Sequence, residues 1–330
     1  MGIISPLPAG AHELSRRLAG LDVSFNKLSE VGRNDWFLFV SGNVGGGGYR
    51  GVMARREPAL SASRAKEYMQ CPLKFRYSVV DAIPQPPTEA TIKGTVVHHV
   101  LERLYDAPQD QRTPEVAQEL LPGAWETTLE HQPDAHALFE EPSVKQSAQA
   151  DTVELVDNYF RIERPQFLNP KAREQFVDAR LSGGVLLRGI VDRIDEAPNG
   201  ALRVVDYKTG KAPSPRFVDD ALFQMRFYAL LLREVWRVPA RLQLLYLRST
   251  QVLTLDPEER DIEAFEEEIG GLWNRIKTDA QRERFTPRKS ALCPWCPFQE
   301  MCPIFGGEVP PPPEDGLARL LAIQQVDQAN

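Results

Sequence analysis

Four cysteines are the whole supply in this 330-residue chain, and their placement limits what it can fold into. Cys71 stands alone in QCPLKF, while Cys293, Cys296 and Cys302 fall together in CPWCPFQEMC. If the four ligate one centre, the two ends of a segment of more than 200 residues must meet. Only folds that place an early helix beside the C-terminal loop satisfy that condition, and closing so long a loop opposes unfolding. Four cysteines are too few for a disulfide scaffold in a chain of this length. No basic segment followed by an apolar stretch opens the sequence, so a reducing cytoplasm and metal ligation are expected in place of disulfides. Cys-x2-Cys-x5-Cys with one distant partner is not ordinary zinc-finger spacing, which pairs Cys-x2-Cys with a second close pair. Thiolates also suit iron–sulfur clusters. Zinc and four unligated thiols stay open as alternatives.

The 42% hydrophobic content supports one large core or two modest ones. No run approaches 18 apolar residues, so no membrane span is expected. The net charge of −7 argues at first against a nucleic-acid partner, but it is localised. DPEERDIEAFEEEI at 256–269 equals the whole of it, so the remainder of the chain sums to zero. Two stretches are basic and lie beside cysteines: 61–80 with Arg64, Lys66, Lys74 and Arg76, and 273–289 with Arg275, Lys277, Arg282, Arg284, Arg288 and Lys289. A local basic strip can track phosphates under an acidic total; ordinary solvated helix surface is the competing explanation.

Residues 1–56 contain GNVGGGG, little periodicity and one short apolar run, WFLFV, and read as a disordered leader. Translation is expected to start at Met53, with a genuine flexible tail as the alternative. A folded domain is expected over 57–305 and a stiff Pro-rich tail over 306–330. Helices are expected over 61–79, with serine cap candidates, and over 92–105, 114–131 and 146–162. QFVDARLSGGVLLRGIVDRID reads as a β-hairpin around SGG, followed by the APNG turn and a third strand, LRVVDYK. A helix over 219–236, strands ARLQLLYLRS and VLTL, and a long acidic helix over 257–283 complete the order. Strands and helices mixed in this way predict an α/β fold with a central mixed β-sheet flanked by helices.

Metal-dependent phosphodiester hydrolysis needs carboxylates to hold a hard cation, and a cationic group to offset developing charge. In VVDYKTG, Asp206 and Lys208 share a strand face because side chains alternate with period two. Asp206 can ligate Mg²⁺ while Lys208 orients or activates water; Tyr207 points the other way but offers its carbonyl. Asp192 lies on the preceding strand, brought back by the APNG turn. A hairpin with surface charges would show the same residues, and D-x-K by itself specifies nothing. His98 adds a nitrogen donor suited to Mn²⁺ or Mg²⁺. The adjacent His99 leaves the choice between them open, and Glu102, one turn on, is a further ligand candidate. Gln224 and Tyr228 share a helix face and can hold a phosphate or a base, or simply pack.

GTVVHHVLE, GIVDRID, VVDYKTG and Q-x-x-x-Y in that order resemble the RecB-family exonuclease domain of the PD-(D/E)XK superfamily, over about residues 58–305. The resemblance implies a restriction-endonuclease-like core. It implies a Mg²⁺ or Mn²⁺ site from His98, Asp192, Asp206 and the Tyr207 carbonyl, with Lys208 catalytic and Gln224 and Tyr228 on the family's Q-x-x-x-Y motif. One cysteine before that core and three after it resemble the [4Fe–4S] nucleases, namely the AddB nuclease domain and the CRISPR-adaptation nucleases. That implies a cluster on Cys71, Cys293, Cys296 and Cys302 stapling the C-terminal end. The implied activity is a DNA exonuclease acting on single-stranded ends in repair or recombination, with DNA as partner and a separate repair or helicase protein beside it. No G-x-x-x-x-G-K-[ST] occurs, so no ATP site is expected here. A non-catalytic iron–sulfur DNA-binding scaffold and a CRISPR-adaptation nuclease are the other readings.

Overall fold

A computed structural model describes residues 37–40, 52–55, 58–214 and 218–324. The chain divides into two units, residues 1–56 and 57–330. In the first, β1 (Phe37–Val40) pairs antiparallel with β2 (Val52–Arg55), Phe37 opposite Arg55. The disordered leader expected over 1–56, and with it the start expected at Met53, otherwise lies outside the described residues.

The second unit begins with α1 (Ala62–Gln70), capped by Ser61, whose side chain accepts from the Arg64 N–H. The single helix expected over 61–79 is broken. Cys71 is extended (φ −159°, ψ 110°), because a residue before proline is driven out of the helical region. Pro72 then opens α2 (Pro72–Phe75), which runs into a π-turn over Arg76–Val80. The break turns Cys71 out of the helix. α3 (Glu89–Leu104) starts at a reciprocal Thr88–Thr91 capping box and carries GTVVHHVLE. The helix expected over 114–131 is two, α4 (Pro114–Glu119) and α5 (Leu121–His131), and α6 (Pro142–Ile162) follows.

β3 (Pro170–Arg180) and β4 (Leu186–Glu196) form the hairpin around SGG, and β5 (Leu202–Lys208) pairs antiparallel with β4. α7 (Val218–Val235) then crosses over to β6 (Arg241–Tyr246), parallel to β5, and β7 (Gln251–Leu255) closes the edge. The sheet order is β3-β4-β5-β6-β7. It is a mixed sheet with one parallel pair, as a helical crossover requires.

Each face of the sheet is buried against helices. Leu187, Val191, Val204 and Leu244 join a core with α1, α7 and α8 (Glu259–Gln281). Val205, Tyr207 and Leu245 join another with α3, α4, α5 and α6. The Pro-rich run after 306 leads into α9 (Glu314–Leu321), whose Leu317 and Leu320 are buried in the first core. A Cβ on Gly316 would lie 2.2 Å from the Val80 carbonyl oxygen, so that approach requires glycine. Composition alone does not announce this docking.

β4 and β5 pair only from Arg193 opposite Val205 to Glu196 opposite Leu202. The other half of β4 has no β5 beside it and is taken by chain from the two ends of the unit. Leu60 N donates to the Leu186 carbonyl, and Arg188 N to the Leu60 carbonyl. Leu186 N in turn donates to the Ile323 carbonyl. The ends therefore meet on one strand through the backbone.

Candidate active site

The place where β4 and β5 part is the site. Beyond Arg193–Val205 the ladder lapses, and Asp192 Oδ2 accepts from the Tyr207 N–H at 2.7 Å instead. A strand N–H left without a ladder partner is thus satisfied by a carboxylate, which is fixed by the same contact. Alternation on β5 puts Asp206 and Lys208 on one face, where Lys208 Nζ lies 2.6 Å from Asp206 Oδ2. Asp192 and Asp206 are both buried. α3 brings in His98, whose Nε2 is 2.9 Å from the Tyr207 carbonyl oxygen and whose Nδ1 is 3.5 Å from Asp192 Oδ2. His98 thus reaches two of the carboxylates of the site, Asp192 and Glu174.

α7 crosses this region with Gln224 and Tyr228 toward it. Gln224 Nε2 donates to Asp206 Oδ1 at 2.9 Å and to the Tyr228 hydroxyl at 3.1 Å. Their shared face therefore holds a carboxylate in place. Gly189 of GIVDRID lets the helix approach: a Cβ there would lie 2.9 Å from Leu231 Cδ1 and 3.1 Å from Tyr228 Cε1. Gly189→Val should displace Tyr228 and destabilise the protein by about 1–3 kcal/mol, read as a lower urea midpoint. An unchanged midpoint would show that the crossing tolerates bulk.

Glu174 belongs to the site and was not among the expected residues. The pairs Arg173–Arg193 and Gln175–Val191 place it across the strand from Asp192. Its φ of +43° is an uncommon backbone conformation for glutamate. Glu174 Oε1 is 3.7 Å from His98 Nδ1, and ligand atoms of His98, Glu174 and Asp192 all lie within 4.8 Å of one another. Glu102 is outside that group among the described residues.

The electrostatics match a cation-binding centre. Burial penalises ionised Asp192, yet His98 beside it holds its carboxyl below the usual range. Burial would strip His98 of its proton, but Asp192 and Glu174 hold the imidazole well above its ordinary value. Burial, reinforced by Asp192, pushes Asp206 up. Burial works against the Lys208 ammonium as well, and Asp206 overrides it and raises the lysine. Asp206 Oδ2 has the Lys208 charge near it but no well-aligned hydrogen bond. A buried carboxylate oxygen in that state, beside a histidine and two further carboxylates, fits a hard divalent ion with one nitrogen donor. Lys66 of α1 also belongs to this neighbourhood: burial lowers its pKa, and Asp220, Lys208 and Asp206 are the charges that act on it.

All four cysteines, Cys71 after α1 and the three near the C-terminus, are outside disulfides and partly buried. Arg288 links two of them, its N–H donating to Cys71 Sγ at 3.4 Å and its carbonyl lying 4.0 Å from Cys293 Sγ. Ser290 N donates to Cys293 Sγ at 3.2 Å. The Cys296 thiol is pushed up by burial, and Cys71 and Cys302 nearby add to the rise. Among the described residues no three sulfurs lie within 4.8 Å of one another. The segments that carry them are joined independently: Tyr77 donates to the Met301 carbonyl at 2.7 Å, and its ring meets Phe298 edge-on.

None of the curated proteins matches the chain. Among the solved structures that match are two of low identity. One, a candidate exonuclease from Eubacterium rectale, is 12% identical over 72% of this chain and 87% of its own, with a TM-score of 0.48. The other, SSO0001, is 14% identical over 76% of this chain and 89% of its own, with a TM-score of 0.33. No described helix is long and apolar enough to cross a membrane. Residues 59–303, which carry the sheet, its helices and both carboxylates, match the PD-(D/E)XK nuclease superfamily, and the chain belongs to it.

Proposed function

We propose that the chain is a divalent-metal-dependent DNA exonuclease of the RecB type, hydrolysing phosphodiester bonds at single-stranded ends in DNA repair or recombination. The convergence of Asp192, Asp206, Lys208 and His98 where β4 and β5 part supports this reading most. His98, Glu174, Asp192, Asp206 and the Tyr207 carbonyl are the groups that would hold Mg²⁺ or Mn²⁺. Such an ion supplies positive charge against the developing phosphorane and lowers the pKa of a bound water. Lys208 keeps one N–H toward Asp206 and has further donors with which to orient the attacking water. Gln224 fixes the other Asp206 oxygen, and Tyr228 fixes Gln224, so the carboxylate cannot rotate away.

Lys66 offers a second cation for the phosphate chain beside the reacting group. Lys66→Gln should lower the slope of log binding constant against log salt by about 0.7 on a single strand. An unchanged slope would remove Lys66 from the DNA path. The wider test is cleavage of 5′- and 3′-labelled single and double strands with Mg²⁺ or Mn²⁺. Release of labelled mononucleotides from single-stranded ends, abolished by chelation, is expected. Cleavage of circular single strands would replace exonuclease by endonuclease.

The four cysteines extend the reading to an AddB-like [4Fe–4S] cluster. Backbone N–H groups already point at two of the sulfurs, as thiolate ligands of such a cluster would require.

A further inference from the structure

On β4, the residue after Asp192 faces the opposite side of the sheet and is a fully buried arginine. Arg193 is 1% exposed. Its Nη1 donates to the hydroxyls of Tyr105 and Tyr207 at 2.7 Å each and of Tyr159 at 3.2 Å. Its Nη2 donates to Glu163 at 2.9 Å, and its Nε lies 3.1 Å from Asp195 Oδ1. Arg203 pairs with the same two acids, at 3.0 Å to Glu163 and 2.6 Å to Asp195, so two positive charges face two negative ones. Burying such a set costs several kcal/mol per ion, and apolar residues of similar volume often serve stability as well or better. Stability is therefore a weak reason for its presence.

Tyr207 connects this cluster to the site. Its ring stands edge-on to His98, centroids 5.9 Å apart, and edge-on to Tyr159 at 5.8 Å. Its backbone N–H fixes Asp192, and its carbonyl is in contact with His98 Nε2. The two peptides that flank the Tyr207 Cα thus contact two metal-binding side chains, and the hydroxyl of the same residue is held by Arg193 from behind the sheet.

We propose that Arg193 is a positioning residue for the metal centre: through the Tyr207 hydroxyl it fixes the backbone of Tyr207, whose N–H and carbonyl set Asp192 and His98. This rests on the nuclease reading of the site. A guanidinium suits the task because its rigid fork can hold three phenols and two carboxylates at once, which an ammonium cannot. Outer partners that orient metal ligands typically cost 10–100-fold in metal affinity when removed.

The test is Mn²⁺ affinity of the full chain without DNA, measured by calorimetry or by the free-Mn²⁺ electron paramagnetic resonance signal, beside melting in chelator. Tyr207→Phe removes one hydroxyl and keeps the ring and the peptide. Arg193→Lys keeps the charge and loses the fork. Both should weaken Mn²⁺ binding by about tenfold or more. Tyr207→Phe is expected to stay folded in chelator, so it decides the matter if Arg193→Lys does not fold. A merely structural role would lower the melting temperature and leave Mn²⁺ affinity within about twofold, and that result in Tyr207→Phe overturns the proposal. A wild-type chain that binds no Mn²⁺ overturns the nuclease reading together with it. A wild-type chain that binds and cleaves, beside an unaffected Tyr207→Phe, overturns the positioning role alone.

Discussion

Lys208→Ala should leave a folded protein that binds DNA and metal and cleaves at least about a thousandfold more slowly. Lys208 is the ammonium 2.6 Å from Asp206 Oδ2, and it occupies the side of that carboxylate facing the site. Removing it deprives the reacting water of its donor. It also removes the positive charge that competes with a cation for Asp206, so Mn²⁺ affinity should hold or rise. The fold survives because Asp206, already pushed up by burial and by Asp192, can take a proton when its partner is gone. Asp206→Ala is expected to differ in kind. It loses a ligand, leaves Gln224 Nε2 without one of its two acceptors, and should lose both cleavage and Mn²⁺ affinity. Single-turnover cleavage and Mn²⁺ titration on the two variants separate these outcomes. Cleavage by Lys208→Ala within tenfold of wild type would sink the catalytic assignment.

The residues that sequence reasoning could place are those whose chemistry and geometry share one element. Asp206 and Lys208 lie two apart on a strand, so alternation alone sets them side by side. Asp192 needed one turn, APNG, to reach its partner. His98 needed the helix that carries it to pack over β5. The sequence leaves His98 and His99 undecided, and the contacts with Asp192 and Tyr207 make His98 the candidate. Gln224 and Tyr228 were legible as a face, but their task was not. That they hold Asp206 depends on where α7 crosses the sheet, which Gly189 sets through contacts far apart in sequence.

Glu174 escaped because one more glutamate in a mixed-charge strand has no local signature. The signal was present in the hairpin, however. With the turn at SGG, register counting from Arg180–Leu186 runs back to Glu174 opposite Asp192. The broken first helix had its signal in Cys71-Pro72, which hydrophobic spacing overrode. The signal for α9 lay in the i, i+3 spacing of Leu317 and Leu320, which the proline run before it overrode by reading as an extended linker. Arg193 shows the same limit in another form. In GIVDRID it reads as a charged strand residue, yet it is among the most buried side chains of the protein.

Cys71→Ala should lose the iron and much of the stability together. The purified, anaerobic wild-type chain should be brown with about four irons, as a complete [4Fe–4S] cluster requires. A centre that exists only in the folded state adds its binding free energy to folding. The chain-entropy account gives roughly 5 kcal/mol for closing a loop of more than 200 residues. At about 2–4 °C per kcal/mol, Cys71→Ala should melt about 10–20 °C lower. The same should hold for Cys293, Cys296 and Cys302, since a cluster missing one thiolate is lost as a whole. The ends of the unit are also held by the backbone bonds of Leu60 and Ile323 to β4, and this latch needs no metal. The two devices can be told apart. Leu320→Ala weakens the latch by cutting into the core under α9, at about 2–5 kcal/mol, and should keep the brown colour. Activity in the cysteine variants should fall in step with unfolding and recover at low temperature, because a cluster on these thiols would hold the ends together while the candidate hydrolytic groups lie elsewhere. Colourless wild-type protein with one zinc would put zinc in place of iron. A Cys71→Ala protein that melts with wild type would leave closure to the β4 latch and the Tyr77 contacts with Met301 and Phe298, since Cys71 is the one thiol that reaches back across the core.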